Sequence, residues 1–498
     1  MEVLVSAVLG DVISRSISFF LDRYNQLGGA EESLQHLRRV LLRAQATVEE
    51  AERRDIRNQA MLWQLDALRH GMYRGYYMLD AFTCRAYRDS DAGAKDPVSN
   101  QISFALRRFN SAKRLCLSAR TPENMVSGGK GLNELRKVIS GLEMTVSDME
   151  EFVLSLKCYP PMCRQLYSGY LYSDMCMFGR HTEYERTVSF LLQPGTTNLS
   201  VLPIVGAARV GKSTLVEHVC YDKRVRGYFS SIVFFTGDDL QVVNADADAL
   251  QDSGVIKYRS DASHGRLLII IELIGDLEKE IWGRLCSILS HMGAQGSKVI
   301  VTSRSERIMQ LGTTQAVKLS LLPQEAYWYF FKMIALRNAG TKDYPELSSI
   351  AMEIADEMNA SFTSANIIGT FLRANPDVLF WRKVLQHLRE FANKHLLMFG
   401  EHPVDLIQKG RPIYLWRMRG SSEALVAHRC YEVCSPQHKL PELTMYDIFR
   451  GTAIPRGKFE VLAYKSQIPP YGSYLVSCSI MTSRHMAVKK KRSRLQSI

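Results

Sequence analysis

Gly206-Ala207-Ala208-Arg209-Val210-Gly211-Lys212-Ser213-Thr214 places two glycines five residues apart and follows the second with a lysine and two hydroxyls. That is the spacing of a phosphate-binding P-loop. The glycines let the backbone turn tightly enough for successive amides to face a phosphate oxygen, and the helix that opens after them adds a favourable field. Lys212 is the cation expected on the β and γ phosphates, and Ser213 offers its hydroxyl to Mg²⁺. The ligand expected from this chemistry is ADP or ATP with Mg²⁺.

The loop also has the required flanks. The apolar run Val201 to Val205 precedes it and the helix-like Leu215 to Cys220 follows. Hydrolysis asks for more, namely a carboxylate at the end of a second strand and a group to orient water. The candidate strand Leu267 to Ile271 ends in Glu272, with Leu273 next and Asp276 three residues on. Glu272 could reach the metal through water, or simply be a polar residue where a strand leaves the core. Leu273 can neither accept a proton nor orient a nucleophile, so binding is better supported than turnover, and Glu272 is the weak catalytic candidate.

Several elements must position these groups. Leu37, Leu41, Ala44, Val48 and Ala51 recur at steps of three and four, Leu62, Leu65, Met72, Tyr76 and Leu79 keep the same rhythm with one step of seven, and Leu135, Val138, Leu142, Val146, Met149 and Val153 again recur at three and four. Each series is one stripe of an amphipathic helix, and residues 1–158 are expected to form a helical bundle. Thr121 to Gly131, with Pro122 and three glycines, reads as a loop, and Tyr159-Pro160-Pro161 opens a linker over 159–175. Short apolar runs at Val201–Val205, Ile232–Phe235, Leu267–Ile271 and Val299–Val301 suit strands buried on both faces of a parallel sheet. They define a nucleotide-binding α/β domain over 176–316. A small helical domain follows over 317–395, with Ala326–Leu336 and Leu347–Met358 its clearest helices. Residues 396–485 are unassigned and partly β: Phe459, Val461 and Ala463, then Tyr474, Val476, Cys478 and Ile480, alternate around a turn with Pro469, Pro470 and Gly472. The fold class is multidomain α and α/β.

The 498 residues suit about three domains. The ten cysteines are scattered, which argues against a secreted disulfide framework. No apolar run reaches the length of a membrane span. A cytoplasmic protein is expected. Part of the +12 net charge sits in a tail, 486–498, where Lys489 to Arg494 is a solvated end or a nuclear-import signal. That tail alone does not make a nucleic-acid-binding protein.

The order of these motifs resembles the NB-ARC module of plant coiled-coil disease-resistance proteins, and the N-terminal helices resemble the Rx-type coiled-coil domain ahead of it. Val48-Glu-Glu-Ala-Glu-Arg-Arg and Trp63-Gln-Leu-Asp-Ala-Leu-Arg69 look like two helices of that domain, while Tyr76-Tyr-Met-Leu-Asp80 retains one acid of the family's EDVID-type stretch. The resemblance implies that Arg304, ending Gly296-Ser-Lys-Val-Ile-Val-Thr-Ser-Arg304, reaches the terminal phosphate. It also implies that Phe178-Gly179-Arg180 lines the adenine. Leu319-Ser-Leu-Leu-Pro-Gln-Glu325-Ala326 through Phe330 and Phe331 is similar to the segment after the sensor, and Ser361-Phe-Thr-Ser-Ala365 stands where the family has a GLPL segment. Arg209 replaces a small residue of the loop, and Glu272-Leu273 replaces paired aspartates.

No MHD-like motif, winged helix or leucine-rich repeat is recognisable, so the chain looks like a shortened or divergent member acting as a helper, adaptor or decoy. The function implied is an ADP/ATP switch in plant innate immunity. The partners implied are other immune receptors or further copies of the chain, met through the N-terminal helices, together with an effector or host target. The apolar stretch Val3 to Leu21 resembles a first helix that reaches a membrane surface, or bundle core. The rival readings are a non-catalytic scaffold with a degenerate nucleotide site and an active P-loop ATPase. His428, Cys430, Cys434 and His438 carry zinc chemistry but not zinc spacing.

Overall fold

The computed structural model describes residues 30–160 and 177–482, apart from 93–127 and shorter interruptions of which 240–254 is the longest. Val3 to Leu21 and the basic tail therefore lie outside the described residues. The chain divides into two compact units, Met1–Ile56 with Trp63–Cys163, and Arg57–Leu62 with Arg164–Ile498.

The first unit is helical, as its periodicity requires. Its helices are Ala30–Glu52, Gln59–Ala92, Gly128–Ser147 and Glu150–Leu156. The stripes Leu37, Leu41, Ala44, Val48, Ala51 and Leu135, Val138, Leu142 are buried. The second stripe departs from expectation past Met72. A Cβ on Gly75 would stand 2.8 Å from Leu41 Cδ2, so the glycine marks the closest approach of two helices. Tyr77 and Met78 are buried there, and Tyr76 lies at the margin with its hydroxyl on Gln45 Oε1 at 2.6 Å. Gly128, Gly129 and Gly131 belong to a helix rather than a loop. The break at Asp148–Met149 resets the helical phase, burying Phe152 and Leu156 and leaving the expected Val153 exposed. Arg69 Nη2 meets Glu52 Oε1 at 2.8 Å with both side chains nearly buried, tying the end of one helix to the middle of the next.

The second unit contains a six-stranded sheet in the order β3-β2-β4-β5-β1-β6. Its strands are β1 Ser200–Gly206, β2 Ser231–Thr236, β3 Val255–Arg259, β4 Leu267–Glu272, β5 Lys298–Ser303 and β6 Val317–Leu319. The four expected strands are all present and mutually parallel. The sheet also has two members too short or too polar to read from sequence: β6, parallel to β1, and β3, an antiparallel edge. Alternate residues of β1, β4 and β5 enter two cores. Leu202, Ile204, Leu268, Ile270 and Ile300 pack with the helices His181–Leu192 and Lys212–Cys220. Val201, Val205, Ile269, Ile271, Val299 and Val301 pack with Leu285 and Ile308 on the other face. This is why these strands read as unbroken apolar runs.

The helices Gln324–Leu336, Pro345–Glu357, Phe362–Ala374 and Val378–Phe399 follow, the last running four residues past the expected boundary. Residues beyond them form a second, antiparallel sheet in the order β7-β8-β10-β9, from β7 Ile413–Trp416, β8 Glu423–Val433, β9 Lys458–Lys465 and β10 Ser473–Thr482. The expected hairpin is β9 and β10. Strands β7 and β8 complete the sheet, and β8 carries His428, bonded to Ser479 at 2.7 Å, and Cys430. Cys434 and His438 lie outside the described residues, and no metal-holding cluster occurs among those described. The Tyr414 amide of β7 donates to His395 Nε2 at 3.1 Å, and the short helix Met445–Arg450 between β8 and β9 is held by Asn375 Nδ2, which donates to the Tyr446 hydroxyl at 2.8 Å.

Candidate functional site

The glycine-rich loop leaves the carboxyl end of β1 and enters the helix Lys212–Cys220. Its place in the sheet follows from topology. The chain goes from β1 toward β2 on one side and returns from β5 to β6 on the other, so β1 marks the point where strand order reverses, and open α/β sheets bind ligands at the carboxyl end of such a strand.

Two glycines are dictated by close approach. A Cβ on Gly206 would fall 2.4 Å from the Leu319 carbonyl oxygen of β6, a backbone atom that cannot step aside. Gly211 has φ +96°, the left-handed conformation natural to glycine just before a helix, and lies against Met177. Arg209 shares that handedness, with φ +59°, although it carries a side chain. Val210 points inward and is fully buried. Behind the loop, Arg180 donates to the Val210 carbonyl at 3.5 Å, to the Ser320 carbonyl, and to Glu183 at 3.3 Å. The Arg180 guanidinium is thus a brace between the phosphate loop and the strand beside it. Phe178 stacks on Tyr329 and tilts against Phe330, so its ring joins the segment ahead of the loop to the helix Gln324–Leu336. The helix His181–Leu192 is in turn held by Tyr184, whose hydroxyl donates to Asp222 at 2.6 Å, and by Arg224 between Asp222 and Glu185.

Lys212 Nζ donates to the carbonyls of Gly206 and Ala207 at 2.8 and 2.7 Å, reaching back along the loop it follows. Burial, chiefly, and then the nearby Arg304 charge lower its pKa to about 8, while Glu272 acts in the opposite sense. Arg304 and Glu272, from the ends of β5 and β4, are therefore both within electrostatic reach of Lys212. Arg209 keeps part of its surface in water, yet burial pulls its pKa down, and Arg304 adds to this against opposing effects of Cys430 and Tyr464. Lys212 and Arg209 both feel the Arg304 charge, and Lys212 and Ser213 stand at the amino end of the 212–220 helix, with Ser213 exposed. This donor set fits a polyphosphate anion. Glu272 suits a magnesium ion held through water. Leu273 does not: it is buried with Ile271 and Leu285, and its amide donates to the Thr302 carbonyl at 2.8 Å.

The expected residues thus fall into two groups. Gly206 through Thr214 form the turn and helix start after β1, with Arg304 and Glu272 at the neighbouring ends of β5 and β4, whereas Phe178 and Arg180 pack on the helix Gln324–Leu336 and on the loop's Val210 carbonyl. Sequence reading expected strands in the C-terminal region but not that they reach the loop. The Tyr474 hydroxyl is 3.5 Å from Thr214 Oγ1, and Tyr464 lies flat on Tyr474, ring centres 4.5 Å apart. No local signal could have announced this, because 260 residues separate Thr214 from Tyr474.

Residues 8–114 match the Rx N-terminal domain family. The disease resistance protein RGA2 of Solanum bulbocastanum is 23% identical over 398 residues, covering 76% of this chain and 38% of that protein. The putative disease resistance RPP13-like protein 1 of Arabidopsis thaliana is 25% identical over 377 residues, covering 71% and 34%. The chain therefore spans little more than a third of the length of these relatives. Among solved structures, Drosophila ORC bound to DNA aligns at a TM-score of 0.31 and 10% identity, covering 53% of this chain and 82% of that one. The chain is thus similar to an Rx N-terminal domain over residues 8–114 and, more distantly, to plant disease-resistance proteins over about three quarters of its length.

Proposed function

We propose that this chain, kin to the plant disease-resistance proteins, is a nucleotide-binding switch of plant innate immunity, holding ADP or ATP at the Gly206–Thr214 loop. The observation that carries the reading is the glycine-cradled loop at the carboxyl end of β1, where Gly206 leaves no room for a Cβ and Lys212 reaches back to the Gly206 and Ala207 carbonyls at the start of the 212–220 helix. Lys212 and the amides of the loop bind the phosphates, Ser213 and Glu272 hold Mg²⁺, and Arg180 and Phe178 keep the loop in register with β6 and the helix Gln324–Leu336. ATP supplies a γ phosphate that ADP lacks, so Arg304 and Lys212 interact differently with the two and bias the arrangement of the surrounding helices. Turnover is weak or absent, because Leu273 places an alkyl group in the core where a carboxylate would be needed. The Rx-type domain meets a receptor, a further copy or a host target, and the chain acts as a helper, adaptor or decoy.

The test is to denature the purified protein and identify the nucleotide it releases, with Lys212→Ala as control. ADP or ATP recovered from the wild type and lost in the variant is the expected result. A protein that releases none, and whose melting temperature neither nucleotide moves, would instead be a scaffold with a degenerate site.

A further inference from the structure

The edge strand β3 has two unlike faces. Among the described residues it pairs with β2 alone, so the backbone groups of its outer side are open to another strand. Its register slips between Ile232 and Val233, which face Tyr258 and Ile256, and Lys257 is the extra residue of a bulge. Without the bulge Ile256 and Tyr258 would share a face; with it they take opposite ones, as their consecutive partners do. Tyr258 packs with Ile232 on the core beneath the helices His181–Leu192 and Lys212–Cys220. Ile256 follows Val233 to the other face and is 53% exposed. The Tyr258 face is cationic. The Arg226 guanidinium lies over Tyr221 and Tyr258, its Cζ 3.8 and 4.9 Å from the ring centres, and its Nε donates to the Cys220 carbonyl at 3.1 Å. The Tyr258 hydroxyl donates to the Arg226 carbonyl at 3.3 Å, which ties the short helix Lys223–Tyr228 to the edge strand. Arg266 lies over Tyr228 at 4.4 Å, and Arg259 ends β3 as an exposed cation. None of these three arginines meets a carboxylate among the described residues. A guanidinium held flat on aromatic rings presents its remaining N–H groups as a fixed fork, the geometry that a carboxylate accepts.

We propose that the outer edge of β3 docks an extended partner segment in which acidic residues alternate with apolar ones. Backbone hydrogen bonds to β3 hold it as a further strand, its carboxylates meet Arg226 on the Tyr258 face, and its apolar side chains cover Ile256 on the other. Successive residues of a strand point to opposite faces, so the two chemistries of the edge select that alternation. Charge on an edge ordinarily keeps other strands away. Here it repels basic strands and leaves apolar ones with a desolvated cation, while an acidic strand neutralises it. The ring faces of Tyr221, Tyr228 and Tyr258 that carry guanidiniums are closed to a nucleobase, which favours a peptide over a single-stranded nucleic acid. The site is independent of nucleotide: Tyr258 lies beside Ile232 at the amino end of β2, whereas the glycine-rich loop leaves the carboxyl end of β1.

The probe is a fluorescent peptide of about eight residues alternating Glu and Val, long enough to cover the five residues of β3, titrated into the whole chain and followed by anisotropy. The wild type should bind it, and amide hydrogen exchange in β3 should slow in the complex. Arg226→Gln should bind roughly ten-fold more weakly, the usual scale of one charge-assisted contact, and Arg226→Lys, which keeps the charge and loses the fork, should fall between. Ile256→Ser should weaken binding several-fold; its side chain is exposed, so the variant should melt with the wild type. A peptide of the same composition with its glutamates in one block should bind less well than the alternating one. Equal binding of the two peptides, or equal binding by all variants, would overturn the proposal. So would binding that leaves exchange in β3 unchanged, since no strand would then have been added. Tighter binding of a single-stranded oligonucleotide of equal charge would give the surface to nucleic acid instead, and a wild type that does not bind the alternating peptide would remove the site altogether.

Discussion

Thr214 and Tyr474 stand 3.5 Å apart, hydroxyl to hydroxyl, one at the start of the helix behind the phosphate loop and the other on the inner strand of the antiparallel sheet. Through this contact the C-terminal region, whose sequence offers no motif, becomes part of the surroundings of the most recognisable motif in the chain. The behaviour of the loop should accordingly depend on residues far from it in sequence as well as on its own.

Lys212 makes nucleotide affinity depend on pH. Its pKa is near 8 in the folded chain against an ordinary 10.5, so between those values the unfolded chain holds the extra proton and stability rises with pH. Phosphate binding works in the opposite direction because it needs the ammonium form. ADP affinity measured by calorimetry should fall as pH climbs through about 8, with proton uptake on binding, and Lys212→Arg should flatten the profile.

His395 makes the junction between the helix Val378–Phe399 and β7 sensitive to acid. Its Nδ1 bonds to the Phe391 carbonyl at 2.8 Å, and Nε2 accepts the Tyr414 amide proton, an arrangement only the neutral ring allows. Burial lowers its pKa below the usual 6.5, so its contribution is fully present above that value and is lost as pH falls through the unfolded and then the folded pKa. His395→Gln should weaken the acid dependence of the melting temperature between about pH 7 and 5.

Two glycines of opposite environment should respond oppositely to alanine. Gly206→Ala sets a methyl against the Leu319 carbonyl and should destabilise the chain by about 2 kcal/mol, the scale of overpacking a tight site. Gly141→Ala meets nothing within 4 Å on an exposed helix face and should stabilise by about 0.5–1 kcal/mol. Denaturant unfolding of each variant measures both.

Leu273→Asp, which would restore an acid beside Glu272, should not create an ATPase. The side chain at this position lies in the core with Ile271 and Leu285, so an aspartate there is either desolvated or forces the end of the strand apart. The expected outcome is a loss of about 3 kcal/mol in stability with phosphate release still at background. Clear turnover in this variant would show that the carboxylate alone was missing.

The glycine-rich loop was legible because its signature is local. Gly206, Gly211, Lys212 and Ser213 act through a turn, a helix start and two side chains within nine residues, and β1 and the helix Lys212–Cys220 declare themselves by composition. The parallel strands were equally plain, since burial on both faces leaves no polar alternation. Helical stripes were readable until something interrupted the period, as Gly75 did under Leu41 and the Asp148–Met149 break did before Phe152.

What the residues by themselves determined, then, was a loop with P-loop spacing and the class of fold around it. Tertiary structure alone decided that Arg180 braces the loop from behind, that Leu273 faces the core, that β3 and β6 close the sheet edges, and that Tyr474, stacked on Tyr464, meets Thr214. The physical reason is the range of the forces involved. Backbone propensity and hydrophobic period act over a few residues and leave their mark in the text, whereas strand pairing and side-chain packing join segments hundreds of residues apart and leave none.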